Sequence, residues 1–373
     1  MAYSNEIANY FFKGEFLLIG TFAFCLAIIL LYYTLYWKAI TKKFPLWYTT
    51  SFFISALLWV VCGYSLTHNG LHDGIIGNFS DAFFQQISGN PNQDLLDLIF
   101  SKELFFSLIA IVLLQTALVN RINKLSSSLL SLTWLLFVSY PVLFMTQGPG
   151  LVSESGVHDL LGSYAIHIIV GTSALAIILY AKPAQLIKNS ISWDYKPIAL
   201  TLGIAFLYPF FQRHCGQQGL KEFSIFMQTF ALSLVVQVVI KVINRIKLRA
   251  WDPAACLMGT MAYISGFGVD SSPVFVAISS ISIGLTLYFF LDYLNYNEID
   301  PAYLIFVIHG ILGLIGIVFN SIYFSLLTNN QQLAIFPERN IAIGFVLGAY
   351  AFLFTYLTLG FLNRFMVVKE NQG

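Results

Sequence analysis

Charge is scarce in this sequence. Of its 373 residues, 10% are Asp, Glu, Lys or Arg and 58% are hydrophobic. A water-soluble domain carries about 25% charged residues, and so few charges cannot cover a soluble surface. Most of the outer surface must therefore face lipid. Basic clusters are missing too, and the net charge is +1, which argues against nucleic acid or an acidic surface as partner. The four cysteines, Cys25, Cys62, Cys215 and Cys256, show no CxxC spacing. Three lie in apolar runs, where a free cysteine behaves as a small hydrophobe, and Cys215 sits in a polar connection. There is no HExxH, P-loop or GxSxG motif, so we expect neither an enzyme nor a bound metal or cofactor. Gly266-Phe267-Gly268-Val269-Asp270 resembles an intramembrane aspartyl protease signature only loosely, with one residue too many before the acid. Met1 to Lys13 lacks the basic region, apolar stretch and small-residue cleavage site of a removable signal peptide.

What the chain has in abundance is long apolar runs. In lipid every backbone N–H and C=O must be satisfied internally, which leaves helix bundles or closed barrels. The runs show no two-residue alternation, so helices are expected. They fall at about 16–37, 46–66, 103–122, 126–146, 159–181, 197–212, 222–243, 253–269, 272–293, 301–325 and 339–365. The expected fold is an all-α polytopic membrane protein of about eleven transmembrane helices, one domain over 1–373. With the N-terminus outside, 14 of the 19 Lys and Arg residues fall on one face of the membrane. That bias makes the C-terminus cytoplasmic.

An internal repeat is visible. Ile166-His167-Ile168-Ile169-Val170-Gly171 in the fifth run reads against Ile308-His309-Gly310-Ile311-Leu312-Gly313 in the tenth. Five helices per unit is odd, so the second unit would enter the membrane inverted: repeat one at about 16–181, repeat two at about 197–325, then the last long helix at about 339–365. Inverted repeats place a shared site near the midplane between the halves. Ionisable residues inside spans face a cavity or one another, so His167 and His309 are the central candidates. Facing imidazoles share a proton and line a narrow pore; the plainer alternative is two separate histidines, each bonded to its own helix. Two histidines on different helices also suit haem, but a di-haem cytochrome of the b type needs more histidines within spans.

Other residues have plainer readings. Asp159, after the Gly/Ser-rich stretch from Gly148 to Gly156, is placed to accept the first free amides of the fifth helix, and Asp300 before Pro301 begins the tenth in the same way. Lys102-Glu103, at the outer end of the third run, reads as a snorkelling pair at the interface. The connection from Thr67 to Ser101, with His68, His72 and Asp73, reads as a solvated outer loop. Glycines near both histidines allow close helix approach.

Three stretches together resemble the ammonium transporter/Rhesus (Amt/Rh) family over about residues 8–365. They are Leu58-Trp59-Val60-Val61-Cys62-Gly63-Tyr64-Ser65-Leu66, the segment from Ser139 through Gly156-Val157-His158-Asp159 to His167, and Val307-Ile308-His309-Gly310-Ile311-Leu312-Gly313. The resemblance implies a homotrimer with one pore per subunit, in a bacterial inner (plasma) membrane, that conducts ammonium, ammonia or a similarly small solute. It implies that His167 and His309 line the pore and that Phe106 and Phe211 form the outer gate. Asp159, Gln147 and Lys102 would lie in the outer vestibule. Three positions depart from the family pattern: Gln147 replaces a tryptophan, Lys102 an aromatic residue, and Cys215 or a neighbour a serine, so the aromatic cage for an external cation is incomplete. The cytoplasmic tail, Arg364 to Gly373, gives a PII-type regulator little to grip. The alternative function is a non-conducting Amt/Rh-like membrane sensor or structural protein.

Overall fold

The computed structural model describes residues 14–35, 44–70, 73–85, 101–118, 121–157, 159, 162–181, 300–327 and 337–365, with scattered positions between 203 and 290. Every regular element among them is helical, in accord with the all-α expectation. The chain divides into two compact units, Met1–Lys38 with Lys188–Glu298 and Ala39–Ile187 with Ile299–Gly373. The sixth to ninth apolar runs lie largely outside the described residues.

In the first unit, α1 spans Gly14–Leu35. Phe24 and Leu31 are buried, and the Phe24 ring lies 5.8 Å from that of Tyr208. Thr21 Oγ1 donates to Leu17 O at 2.8 Å, with Phe210 O a more distant second acceptor at 3.4 Å. Ile19, Phe22, Leu26 and Leu30 are exposed, a face suited to lipid.

The second unit carries the site. Helix α2 runs Phe44–Leu58, passes through a π-helical turn at Trp59–Gly63 and ends as Tyr64–His68. Helix α3 is Lys102–Leu118, and every residue after Lys102 is buried, so it is a core helix. Helix α4 runs Lys124–Trp134, a π turn Leu135–Ser139 and Tyr140–Thr146. A single turn at Leu151–Glu154 follows. Helix α5 opens on a π turn, Ser163–Ile168, and continues as Ile169–Tyr180. Helix α6 is Pro301–Ile305, a π turn Phe306–Ile311 and Leu312–Leu327; α7 is Pro337–Phe365. Among the described residues of this unit, five helical stretches are long and apolar enough to cross a membrane: Thr49–His68, Lys124–Glu154, Ser163–Tyr180, Pro301–Phe319 and Pro337–Arg364.

Local chemistry sets the boundaries. Asn123 caps α4 by accepting from Ser126 N at 2.8 Å, and Asp300 caps α6 by accepting from Ala302 N at 2.9 Å ahead of Pro301. Helix α5 begins at Ser163, four residues later than the apolar run. Gly162 holds φ +79°, a left-handed conformation that interrupts the helix and that a Cβ would strain against Ile166.

Helix α5 packs against α6 and α7. On α7, Leu347, Ala351, Thr355 and Leu359 recur every fourth residue and are buried, while Phe345, Val346, Leu353, Leu357 and Phe361 are exposed. Buried hydrogen bonds tie the helices. Ser173 Oγ accepts from Trp134 Nε1 at 3.0 Å and is bonded to Thr355 Oγ1 at 2.9 Å, so one hydroxyl joins α4, α5 and α7. Asn340 Nδ2 donates to Ser321 Oγ at 2.8 Å, and Tyr164 OH to Asn340 O at 3.1 Å. Interhelical hydrogen bonds in membranes are worth about 0.6 kcal/mol on average and about 1.7 at most. Ser173→Ala removes the hydroxyl with little change in volume, and leaves the Trp134 indole N–H without its acceptor. We expect a loss of about 1–2 kcal/mol, measured as a lower unfolding midpoint in detergent.

Candidate functional site

The two histidines of the repeat meet. His167 and His309 are 7% and 1% exposed, and their Nδ1 atoms lie 2.8 Å apart. The rings are nearly parallel, 4° between planes, with centroids 5.0 Å apart. Both lie on π turns, of α5 and α6 respectively. The amide of His167 bonds back five residues to Gly162 O at 3.1 Å, while Ile166 N reaches the same oxygen at 2.8 Å. Such turns add a residue to the helix and turn a side chain away from the regular face.

Glycines allow the approach. A Cβ on Gly171 would collide with the backbone of Gly310 and His309, and a Cβ on Gly313 would stand 3.1 Å from His167 Cβ. Each repeat's glycine thus sits against the other repeat's histidine residue. The Nδ1–Nδ1 bond requires one nitrogen protonated and the other bare, so the pair holds complementary neutral tautomers. Exchanging the two roles takes two proton moves: as the shared proton crosses, the ring that receives it must give up its Nε2 proton and the other ring must take one up at Nε2.

Asp159 is 4% exposed and precedes α5. Its Oδ2 accepts from Tyr164 N at 3.2 Å and Ala165 N at 2.9 Å, the first free amides of the helix, as expected; Gly162 rather than Asp159 occupies the capping backbone position. Gln147, the C-cap of α4, donates through Nε2 to the Asp159 carbonyl oxygen and so fastens the chain leading into α5.

The Lys102-Glu103 pair is more than a snorkelling pair. Glu103 is buried, with Lys102 Nζ 3.8 Å from one carboxylate oxygen and His68 Nε2 3.5 Å from the other. The Lys102 side chain is 30% exposed. His68 belongs to the end of α2, not to a loop, and stacks on Tyr64 with centroids 4.3 Å apart. Thr67 Oγ1 is 2.9 Å from Gly63 O and 3.0 Å from Tyr64 O, so its one proton goes to a carbonyl and it accepts from His68 Nδ1 at 2.9 Å. Phe106 is fully buried one turn further along α3. Phe211, its expected gate partner, lies outside the described residues, as do Cys215 and His158.

Sequence reasoning missed three contributors. His68 was hidden in an apparent loop, although its spacing from Tyr64 is helical. Arg121 looked like one more positive charge at the membrane edge. Gln115, which donates to Ser131 Oγ and accepts from Ser127 Oγ at 2.6 Å, gave no signal beyond being polar in an apolar run. Among the described residues no cluster of His, Cys, Asp and Glu could hold a metal ion.

Known proteins share this architecture. The model of the Ammonium Transporter Family matches residues 16–372. Ammonium transporter Amt1 of Archaeoglobus fulgidus is 28% identical over 82% of this chain and 80% of its own length. The crystal structure of Candida albicans Mep2 superposes with a TM-score of 0.79 at 17% identity, over 95% of this chain and 86% of that one. A solved sensor Amt protein gives a TM-score of 0.72 at 16% identity, over 95% and 92% of the two chains. At those identities the two structures speak for the fold alone, and the family match carries the classification. The chain belongs to the ammonium transporter family, integral membrane proteins that act as channels or transporters and not as enzymes.

Proposed function

We propose that this chain conducts ammonium, ammonia or a similarly small solute through a pore lined by His167 and His309. The observation that carries this reading is the buried 2.8 Å Nδ1–Nδ1 bond between repeat-related positions of an ammonium transporter family chain. In this reading Phe106 and Phe211 gate the pore from outside, and Asp159, Gln147 and Lys102 shape the vestibule. The chain assembles as a trimer, in the plasma membrane of a bacterium, with its N-terminus outside and its C-terminus cytoplasmic. The exposed apolar face of α7 suits either lipid or a neighbouring subunit. The five-plus-five inverted repeat is supported by the shared π turns and by the reciprocal glycine–histidine contacts.

The test is a liposome assay that records current and pH change with ammonium and methylammonium. A saturable ammonium flux, lost in His167→Ala and in His309→Ala, is the expected result. A flux indifferent to both substitutions would remove the histidines from the pathway. A second reading, a non-conducting sensor, draws on Lys102 and Gln147 in place of aromatic residues. Ammonium binding without flux in that assay would favour it.

A further inference from the structure

At the end of the second unit that the positive-residue bias assigns to the cytoplasm, three helix ends converge on one side chain. Arg121 follows α3, its amide bonded to Leu118 O at 3.1 Å, and its side chain is 1% exposed. Nη1 donates to Ala181 O at 3.3 Å, the residue that terminates α5. Nη2 pairs with Asp300 Oδ2, while Asp300 Oδ1 caps α6. Helix α5 carries His167 and α6 carries His309. Both contacts suit the ends they touch: carbonyls at a helix C-terminus carry partial negative charge, and an N-cap carboxylate sits at a positive end.

We infer that Arg121 is a positioning residue: its guanidinium clamps the last carbonyl of the His167 helix to the N-cap carboxylate of the His309 helix and so holds the two imidazoles at bonding distance. The inference rests on the histidine-pair reading above. Helices α5 and α6 pack along their length, with their closest approach at the Gly171–Gly310 crossing beside the histidines. The Arg121 clamp ties the end of one helix to the start of the other, and so restrains the pair against sliding and against a change of crossing angle. Only a planar fork with several fixed donors bonds a carbonyl and a carboxylate together; lysine, a point charge, serves one at a time.

The experiment uses the full chain in lipid nanodiscs. Imidazole 15N NMR of histidine-labelled protein reports an N–H···N bond directly, and the pair's resonances are those that vanish in His167→Asn and His309→Asn. The unmodified protein is expected to show the bond. Arg121→Met should lose it, and Asp300→Asn, which keeps a capping side chain but no charge, should weaken it. Gln115→Leu, which cuts a buried polar network nearby, should lower stability and leave the resonances in place. Maximal ammonium flux in Arg121→Met should fall about tenfold or more, with half-saturation within about twofold of the parent because the outer mouth is untouched. Where Arg121→Met does not assemble, Asp300→Asn and Arg121→Lys decide by the same spectra. Intact pair resonances in every folded variant at Arg121 and Asp300 overturn the clamp and leave the histidine pair standing. Their absence from the unmodified protein overturns both.

Discussion

Gly171→Val should part the two histidines and abolish transport. A Cβ at residue 171 would overlap the Gly310 backbone nitrogen and Cα and the His309 carbonyl carbon. Backbone cannot rotate out of the way as a side chain does, so the helices themselves must separate. Overpacking of an ordinary core costs about 1–3 kcal/mol, and a clash with backbone at a helix crossing belongs at or above the top of that range. A further ångström between α5 and α6 would stretch the 2.8 Å Nδ1–Nδ1 contact past hydrogen-bonding range. The facing glycine is less demanding. A Cβ on Gly310 would meet a Phe306 ring carbon at 3.1 Å and Gly171 at 3.3 Å, contacts that a small shift relieves. Gly171→Ala should therefore damage stability and flux more than Gly310→Ala. Thermal unfolding with liposome flux on the same preparations checks this, and equal tolerance at the two positions would refute the crossing described here.

Glu103→Gln should depress ammonium permeation more than any change at Lys102. Two like charges 4 Å apart repel by about 4 kcal/mol in an effective dielectric of 20, so a bare Lys102 would oppose a cation at the outer mouth. Glu103 lies 3.8 Å from that ammonium group and cancels most of its field. Removing the carboxylate's charge exposes Lys102 and removes the anionic partner of His68. Because the Lys102 side chain is 30% exposed, solvent screening reduces the penalty to about 1–2 kcal/mol, a factor of about ten in flux. Lys102→Met in the Glu103→Gln background should restore most of the loss. The aromatic replacement Lys102→Phe with Gln147→Trp should raise flux only where the gain in cation–π attraction, about 0.5–2 kcal/mol per ring, exceeds the loss of the Gln147 tether to the Asp159 carbonyl. A Glu103→Gln protein as active as the parent would show that the permeant species never meets this charge.

Much of the helical scaffold was legible because lipid imposes a plain rule. Apolar length and the absence of alternation place α2, α4, α6 and α7 within a few residues of their apolar runs. His167 and His309 were legible because a repeated motif marked them. The cluster of His68, Lys102 and Glu103 was not. Glu103 and His68 come from helices separated by a long connection, and no local pattern announces that a buried carboxylate will meet both a histidine and a lysine. Arg121 was hidden for a similar reason: positive charges at a membrane edge are common, and only the fold shows that this one points inward. The start of α5 was misplaced because hydropathy registers a span but not the left-handed glycine inside it.

The π turns have a consequence for insertions and deletions. Each is one residue more than an α-helix needs for the same turn, and each residue advances a regular helix by about 100°. Within Phe306–Ile311, loss of one residue has a built-in outlet: the turn relaxes to ordinary α pitch and the flanking segments keep their positions along the axis. Lost a few residues away, in Leu312–Leu327, the same residue would rotate every later side chain by more than a quarter of a revolution and carry lipid-facing groups into the packed interior. Length variants of this protein should thus be tolerated, if anywhere in the membrane, at the turns that hold its histidines, with the angular aim of the imidazoles as the property sacrificed.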